Sequence, residues 1–277
     1  MVLKQRNKKI EEGIAVPYLS FPLLEETGIV THCFTTRQGG VSQGIYASMN
    51  LSFTRGDCQE SVQENFKRIA KVLGTKYENF VLSDQTHTTN LRRVTKADAG
   101  KGLTRDRDYQ EIDGLMTNEP GLVLSTFYAD CVPLYFVDTK HHAIALSHSG
   151  WRGTVKRMGK ITLEAMHEEF GTNPKDTICA IGPSICQNCY EISQDVAMEF
   201  IQEFQGHQEE ILQEKDNGKY QLDLWRTNEL VLLEAGIKKE HLAVTNVCTC
   251  CNAETLFSHR ATQGKRGNLG AFLALIS

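Results

Sequence analysis

Six short apolar segments follow one another between residues 80 and 147, and they constrain the fold more than any other feature of the sequence. They cover residues 80–83, 91–95, 112–116, 122–128, 134–137 and 143–147, and turn-forming residues separate them. Runs of this length that contain β-branched and aromatic residues are typical of β-strands. The middle of the chain is therefore predicted to form a β-sheet.

Helical patterns lie on both sides of these segments. Apolar residues recur at helical spacing from Val62 to Leu73, and Gly74 follows them as a stop signal. Further helices are predicted over 154–170, 193–205 and 223–235, and further strands over 29–36, 177–181 and 242–246. Because strands and helices interleave, we predict an α/β fold, namely a single domain over residues 1–277 with a large mixed β-sheet core flanked by helices.

Composition limits the classes of partner. The formal net charge of −4 gives no general attraction to nucleic acid or to an anionic membrane. The sequence contains no apolar run of membrane-spanning length, and the basic start lacks the apolar core of a signal peptide. We therefore expect a cytoplasmic protein, a monomer or homodimer, that acts on a small molecule and keeps its nine cysteines reduced.

Three residues suggest a metal site. His87, Cys131 and His148 each lie where a predicted strand ends. Imidazole nitrogen and thiolate sulfur suit zinc and copper, and three protein ligands leave a fourth position open for water or substrate. Their separations along the chain match no recognised metal-binding pattern, so the residues alone also allow a buried cysteine and hydrogen-bonded histidines.

A series of motifs carries a family resemblance. The segments TTRQGGVSQGIYASMNLS, DGLMTN, ADCVPLYFVD, HSGWRGT, IGPSICQNCYEI and CTCCNAETLFSHR occur in this order between about residues 29 and 273. Together they resemble the YfiH/YlmD multicopper-oxidase-like laccase-domain family. The resemblance implies a purine nucleoside phosphorylase that cleaves adenosine, inosine, guanosine or S-methyl-5′-thioadenosine with phosphate and also deaminates adenosine.

The resemblance also implies the metal ligands. The histidine of a Q-x-H segment, the cysteine of A-D-C and the histidine of H-x-G-W-R-G correspond to His87, Cys131 and His148, which would hold Zn²⁺ or Cu²⁺. Thr88 stands where the family commonly has a glycine, which we interpret as a change in loop shape.

Phosphorolysis needs an anion site, and the segment HSGWRGT offers one. Its glycines free the backbone, a helix is predicted to begin there, and Arg152 supplies several donors. Arg152 could equally pair with a surface carboxylate. Arg37 and Arg260 are further candidates for binding substrate, although either could be a structural arginine. Asn50 could position substrate or form an Asx turn.

Two aspartates are candidates for catalysis. Asp130 directly precedes Cys131, and Asp113 opens the segment DGLMTN. With Arg152 they form the predicted catalytic set, in which an aspartate could orient a histidine or move a proton. An aspartate at a strand end could instead cap a turn.

Five other cysteines, Cys186, Cys189, Cys248, Cys250 and Cys251, leave two interpretations open. They could form a second, structural zinc site of four thiolates, or they could be buried free thiols.

Other functions remain possible from the residues alone. Cys131 with a histidine could be a cysteine hydrolase pair. A copper-dependent polyphenol oxidase follows from the family's name, although one site of two histidines and a cysteine lacks the several coppers of a true laccase. The three ligands could also serve only to sense zinc.

Overall fold

The computed structural model describes residues 2–276. Its strands are β1 Lys4–Glu11, β2 Ile14–Ser20, β3 Val30–Thr35, β4 Phe80–Leu82, β5 Leu91–Arg93, β6 Gly114–Thr117, β7 Val123–Tyr128, β8 Val132–Asp138, β9 Ala143–Ser149, β10 Thr177–Ile181, β11 Glu191–Ile192, β12 Leu212–Glu214, β13 Tyr220–Leu222, β14 Leu242–Val244 and β15 Leu269–Leu275. Its α-helices are α1 Pro22–Glu25, α2 Gln59–Leu73, α3 Trp151–Val155, α4 Met158–Phe170, α5 Gln194–Glu203, α6 Gln208–Ile211, α7 Leu224–Glu234 and α8 His259–Thr262.

Most strands form two six-stranded sheets. The first has the order β1-β2-β3-β15-β7-β4, and the second has the order β14-β10-β8-β9-β6-β5. Both are mixed, because β4 runs parallel to β7, and β5 and β14 run parallel to their neighbours in the second sheet. A third sheet, β11-β13-β12, is small and antiparallel. The predicted α/β class with a mixed-sheet core is confirmed, and the core is divided between two sheets.

The two large sheets pack face to face. Their shared core includes Phe34 and Leu273 from the first sheet and Tyr135 and Leu146 from the second. Helix α2 covers the outer face of the first sheet, and α4 and α7 cover the outer face of the second. Because β8 and β9 are buried on both faces, most of each strand is a continuous apolar run instead of an alternating pattern.

Several elements differ from the sequence prediction, and three of the differences bear on the architecture. The predicted helix over 154–170 is two helices, α3 and α4, because Arg157 between them adopts a left-handed backbone with φ of 60°. The hairpin β1-β2 was not predicted, since β1 is mostly polar and largely exposed. Strand β15 was not predicted either, and it inserts between β3 and β7. No helix of the described chain is long and apolar enough to cross a membrane.

Candidate metal centre

The second sheet brings strand ends together at one edge. Strands β8, β9 and β6 are neighbours there, with Pro133 opposite His148 and Gly114 opposite Ser147. His148 lies near the end of β9, and Cys131 directly precedes β8. Antiparallel pairing of β8 with β9 therefore places the cysteine beside the histidine.

His87 reaches the same edge through the loop that follows β4. An isolated bridge between Asp84 and Ile112 holds the start of this loop beside the chain that leads into β6. His87 has a left-handed backbone with φ of 65°, a conformation that non-glycine residues seldom adopt. Such a residue costs roughly 1–3 kcal/mol, so the surrounding contacts must hold the loop in place.

The three predicted ligands converge. One ligand atom from each of His87, Cys131 and His148 lies within 4.8 Å of the other two, and the imidazole centroids are 5.0 Å apart. Gly150 passes close by, since a Cβ atom on it would lie 2.9 Å from His87 Nδ1 and 3.2 Å from Cys131 Sγ. A side chain at position 150 would crowd both groups. Two imidazoles and a thiol at this spacing suit one shared transition-metal ion.

The Asp113 carboxylate connects the loop of His87 to the ring of His148. Asp113 is fully buried. Its Oδ1 lies 2.7 Å from His148 Nδ1 and accepts a hydrogen bond from the backbone N–H of His87 at 3.1 Å. Its Oδ2 accepts from the backbone N–H groups of Thr86 and Thr88 at 3.0 and 2.9 Å. Because Asp113 engages Nδ1 of His148, the other ring nitrogen, Nε2, is left for an ion.

Charges within the cluster set its protonation. Burial would lower the pKa of His148, but the neighbouring Cys131 and the Asp113 carboxylate raise this pKa to about 9. Burial and the charge of His148 lower the pKa of His87, with Asp113 opposing them and Arg152 adding to them. Burial also works against ionisation of Asp113, yet its bonds to His148 and to backbone N–H groups hold its pKa below the usual value. Asp113 therefore stays ionised at neutral pH and can fix the ring of His148.

A cavity of about 260 Å³ opens beside the three ligands, all of which line it. Its other lining residues include an apolar group and three arginines, namely Leu51, Phe53, Phe127, Ala129, Arg55, Arg107 and Arg266. The cavity therefore presents apolar and cationic side chains to anything bound next to the ligands.

None of these three arginines was predicted from the sequence, and Arg55 and Arg266 differ from Arg107 in their partners. Arg266 is only 7% exposed, and its buried Nε has no hydrogen-bond partner among the described residues. Burial and the nearby charge of Arg55 lower the pKa of Arg266 to about 10. Within residues 2–276, neither guanidinium forms an ion pair, whereas Arg107 pairs with Asp84 at 2.6 Å. An anion in the cavity would offset the cost of these two adjacent positive charges.

Arg152 occupies a different place from the one predicted for an anion-binding arginine. It belongs to the short helix α3, and its exposed guanidinium lies 4.2 Å from the centroid of the Trp151 ring. The described residues that line the cavity do not include Arg152. Its charge nevertheless contributes to lowering the pKa of His87, and a catalytic role for it stays a prediction.

The three predicted substrate-binding residues hold loops by internal hydrogen bonds. Arg37 donates to the carbonyl oxygens of Ala47 and Ala253 at 2.9 and 2.8 Å. Asn50 is fully buried, and its Oδ1 accepts from the backbone N–H groups of Ser52 and Asn268, which is the Asx-turn interpretation. These contacts stabilise the loops, and no finding tests whether either residue touches substrate.

Arg260 is engaged in the same way. Its guanidinium donates to the carbonyl oxygens of Cys189 and Glu191 at 3.1 and 2.9 Å and lies over the ring of Tyr190. Its own backbone N–H donates to Asp130 Oδ2 at 2.7 Å. Arg260 therefore links the segment after β10 to the turn that carries Cys131.

Asp130 precedes Cys131 with a left-handed φ of 91°. Besides Arg260, its carboxylate accepts from Thr249 Oγ1 at 2.6 Å. Asp130 thus ties the turn of Cys131 to the C-terminal loops, and its predicted role in catalysis remains untested.

The chain resembles known proteins over most of its length. Residues 31–276 match a family described as "Multi-copper polyphenol oxidoreductase laccase". A protein named purine nucleoside phosphorylase YlmD from Bacillus subtilis is 35% identical over 246 residues, which cover 87% of either chain. A purine nucleoside phosphorylase from Bacteroides thetaiotaomicron is 34% identical over 252 residues, which cover 91% of this chain and 93% of that protein.

Solved structures resemble it as well. The protein YfiH of Bacillus licheniformis superposes with a TM-score of 0.89 at 32% identity and covers 93% of this chain and 96% of its own. YlmD from Geobacillus stearothermophilus gives a TM-score of 0.87 at 30% identity and covers 100% and 99% of the two chains. The two-sheet architecture is therefore shared with these proteins.

Proposed function

The chain belongs to the multi-copper polyphenol oxidoreductase laccase family, and from this membership and the geometry of the site we propose that it is a purine nucleoside phosphorylase with a metal ion at His87, Cys131 and His148. The observation that carries the proposal is that one cavity joins these three side chains to two arginines without an ion-pair partner in the described chain. Phosphorolysis needs an anion site for phosphate within reach of the nucleoside, and a Lewis acid beside that site could activate the substrate.

Two guanidinium groups would hold phosphate. Arg266 is buried with donor atoms to spare, and Arg55 lies close enough to lower its pKa. Guanidinium groups match phosphate oxygens with two parallel hydrogen bonds. Because Arg266 is largely shielded from bulk water, its pairing with phosphate is stronger there than at the surface. Phosphate held there lies in the same cavity as the ligand cluster.

The apolar wall would hold the purine. Phe53 and Phe127 line the cavity together with Leu51 and are partly or fully buried. Aromatic and aliphatic side chains favour a flat base through apolar burial. In phosphorolysis a phosphate oxygen bonds to ribose C1′ while the C1′–N9 bond breaks and its electron pair leaves with the base. The wall and the arginines together would align these two partners.

The chain's own residues fit a metal. Zn²⁺ or Cu²⁺ bound by the three side chains would supply Lewis-acid chemistry with one coordination position vacant. Asp113 acts as a positioning residue, because it fixes the ring of His148 and the loop of His87. Gly150 keeps the space between His87 and Cys131 clear.

We propose the substrate range that the family resemblance implies. It comprises adenosine, inosine, guanosine and S-methyl-5′-thioadenosine, with deamination of adenosine as a second activity at the same site. We also propose that the chain works in the cytoplasm, as one domain and as a monomer or homodimer. In this proposal Arg37, Asn50 and Arg260 support the loops around the site.

One observation favours a second function. Cys131, His148 and Asp113 form a chain of thiol, imidazole and carboxylate, which is the arrangement of a cysteine hydrolase. A metal would then occupy the nucleophile and inhibit it. Removing metal with a chelator distinguishes the two functions, since it should abolish phosphorolysis and should activate a cysteine hydrolase.

Inosine provides the direct test. The purified protein should release hypoxanthine from inosine only when phosphate is added, and the release should stop after metal removal and return with added Zn²⁺ or Cu²⁺. Release without phosphate would indicate a hydrolase. Oxidation of phenols by a copper-loaded sample, with no nucleoside cleavage, would favour the polyphenol oxidase instead.

A further inference from the structure

Four cysteines outside the candidate metal centre also converge. One sulfur from each of Cys186, Cys189, Cys248 and Cys251 lies within 4.8 Å of the others. Cys186 precedes a short 3₁₀ turn and Cys189 ends it, while Cys248 and Cys251 lie in the loop after β14. Cys250, although close in sequence, is not part of this group. We call the group the four-cysteine cluster.

The sulfur distances match a tetrahedral ion. Cys251 Sγ lies 3.4 Å from Cys189 Sγ and 3.9 Å from Cys186 Sγ. A zinc–sulfur bond of about 2.3 Å in tetrahedral geometry places neighbouring sulfurs about 3.8 Å apart. All four cysteines are free thiols in the described chain. The cluster therefore has the size of a zinc tetrathiolate before any ion enters it.

Backbone groups support a negative charge on one sulfur. The N–H groups of Cys186 and Cys251 both donate to Cys248 Sγ, at 3.3 and 3.4 Å. Cys248 is buried, so these bonds act away from bulk water. Hydrogen bonds to ligand atoms orient the ligands of a metal and stabilise their charge. Each of the two turns therefore directs a backbone N–H group at Cys248 Sγ, which favours the thiolate form that binds a metal.

We propose that Cys186, Cys189, Cys248 and Cys251 bind a structural Zn²⁺ ion that clamps the segment after β10 to the loop after β14. Four thiolates fill the tetrahedron and leave no position for substrate, which is the property of a structural site. The ion contributes folding free energy, because the unfolded chain does not hold the four sulfurs together.

The two segments joined by this proposed zinc ion are hydrogen-bonded to the turn that carries Cys131. Ile185, beside Cys186, donates its backbone N–H to the carbonyl oxygen of Asp130 at 3.0 Å. Thr249, beside Cys248, donates its hydroxyl to the carboxylate of Asp130 at 2.6 Å. Both clamped segments therefore hold Asp130, the residue before Cys131. The zinc ion stabilises the position of the candidate metal centre without contacting its substrate.

Zinc content under reducing conditions tests the proposal. The unaltered chain is compared with Cys251→Ser, Cys189→Ser and the matched control Cys250→Ser. We expect the first two variants to bind one zinc equivalent fewer per chain than the unaltered protein, and Cys250→Ser to bind the same amount. Because each variant keeps His87, Cys131 and His148, the difference does not depend on whether that centre holds zinc.

Cobalt gives a second measurement on the unaltered protein. Co²⁺ in a tetrathiolate site gives intense visible bands, and these should persist in a Cys131→Ser protein and vanish in Cys251→Ser. Any of three results would overturn the proposal. They are equal zinc content in all variants, a Cys189–Cys251 disulfide that persists under reducing conditions, and the absence of a tetrathiolate cobalt spectrum from the unaltered protein. The cobalt measurement decides the matter even if a variant fails to fold.

Discussion

The two cysteine-containing clusters of this protein differ in the elements that build them. The candidate metal centre takes His87, Cys131 and His148 from strand ends and an adjoining loop, and a cavity opens beside it. The four-cysteine cluster takes only sulfur ligands from two turns. Three mixed ligands beside a cavity suit chemistry, and four thiolates suit structure. The number and type of ligands therefore separate two roles within one chain.

The clusters are nevertheless connected through one turn. Asp130 bonds to both segments of the four-cysteine cluster and directly precedes Cys131. We therefore expect unequal effects. Changes at the candidate metal centre should abolish activity with little loss of stability, and changes at the four-cysteine cluster should mainly reduce stability. Five experiments could break or sharpen this contrast.

The largest effect is expected from Cys131→Ser. Without the thiolate, a bound ion would keep only two protein ligands. Loss of a residue that only orients a ligand costs roughly 10–100-fold, so nucleoside cleavage should fall by more than that. Zinc at the four-cysteine cluster and the thermal unfolding temperature should change little. Inosine phosphorolysis and elemental analysis measure both. Retained cleavage in this variant would remove Cys131 from the site.

Asp113→Asn should have the next largest effect. The amide keeps the volume but loses the charge that faces His148 Nδ1 and three backbone N–H groups. We expect a roughly 10–100-fold loss of metal affinity or activity. A metal titration of the centre measures it, with the four-cysteine cluster as an internal control that should retain its zinc. Equal loss of metal at both clusters would show general unfolding instead.

Arg266→Met tests the anion side of the centre. Charge-assisted hydrogen bonds contribute about 1.5–3 kcal/mol, so KM for phosphate should rise roughly 10- to 100-fold while KM for inosine changes much less. Arg107→Met is the matched control, because Arg107 lines the same cavity but is already paired with Asp84. A larger effect of Arg107→Met on the phosphate KM would assign the anion to that arginine instead.

The cavity arginines Arg55 and Arg266 belong to the part of the candidate site that the sequence did not predict. The convergence of His87, Cys131 and His148 could be anticipated from motifs, and most strands of the middle segment from apolar runs. Arg55 and Arg266 could not, because they are single arginines in polar loops far apart in the sequence. The loop of Arg266 leads directly into β15, which inserts between β3 and β7, and Asn268 in this loop is hydrogen-bonded to Asn50 and Leu51 near Arg55. Arg152 carried the stronger motif but does not line the described cavity.

The sequence also left the role of the five cysteines outside the candidate metal centre undecided. Five thiols in two groups allowed either a zinc site or free thiols, since the sequence does not show which four meet. Backbone hydrogen bonds to Cys248 and the position of Cys250 outside the group depend on the fold of two turns. Such contacts arise between distant segments and have no local signature.

Cys251→Ser should act mainly on stability. Loss of the structural zinc should lower the thermal unfolding temperature, by roughly 2–4 °C for each kcal/mol lost in a chain of this size, with only a few-fold decrease in activity. Cys250→Ser should leave both unchanged. Scanning calorimetry and inosine phosphorolysis at a temperature well below unfolding measure the two effects. A loss of activity as large as that of Cys131→Ser would abolish the contrast between the clusters.

The smallest effect concerns acid, which removes metal from both clusters by protonating ligands and so can hide their difference. The first sheet, which contributes none of the candidate metal ligands, has its own acid sensitivity at His32. This buried residue of β3 accepts a hydrogen bond at Nε2 from the backbone N–H of Phe21 at 2.8 Å. Burial lowers the pKa of His32 to about 4, whereas the unfolded chain should titrate near 6.5.

Between these two values the unfolded chain binds more protons than the folded chain. The free energy of unfolding is therefore highest above about pH 6.5 and falls as the pH drops toward 4, by about 1 kcal/mol between about pH 6.5 and 5.5. In His32→Gln, whose side chain keeps an acceptor for Phe21, urea unfolding should lose this part of the pH dependence. Metal release measured in that background then reports protonation of the two clusters alone. An unchanged slope in His32→Gln would show that the acid sensitivity comes from the clusters themselves.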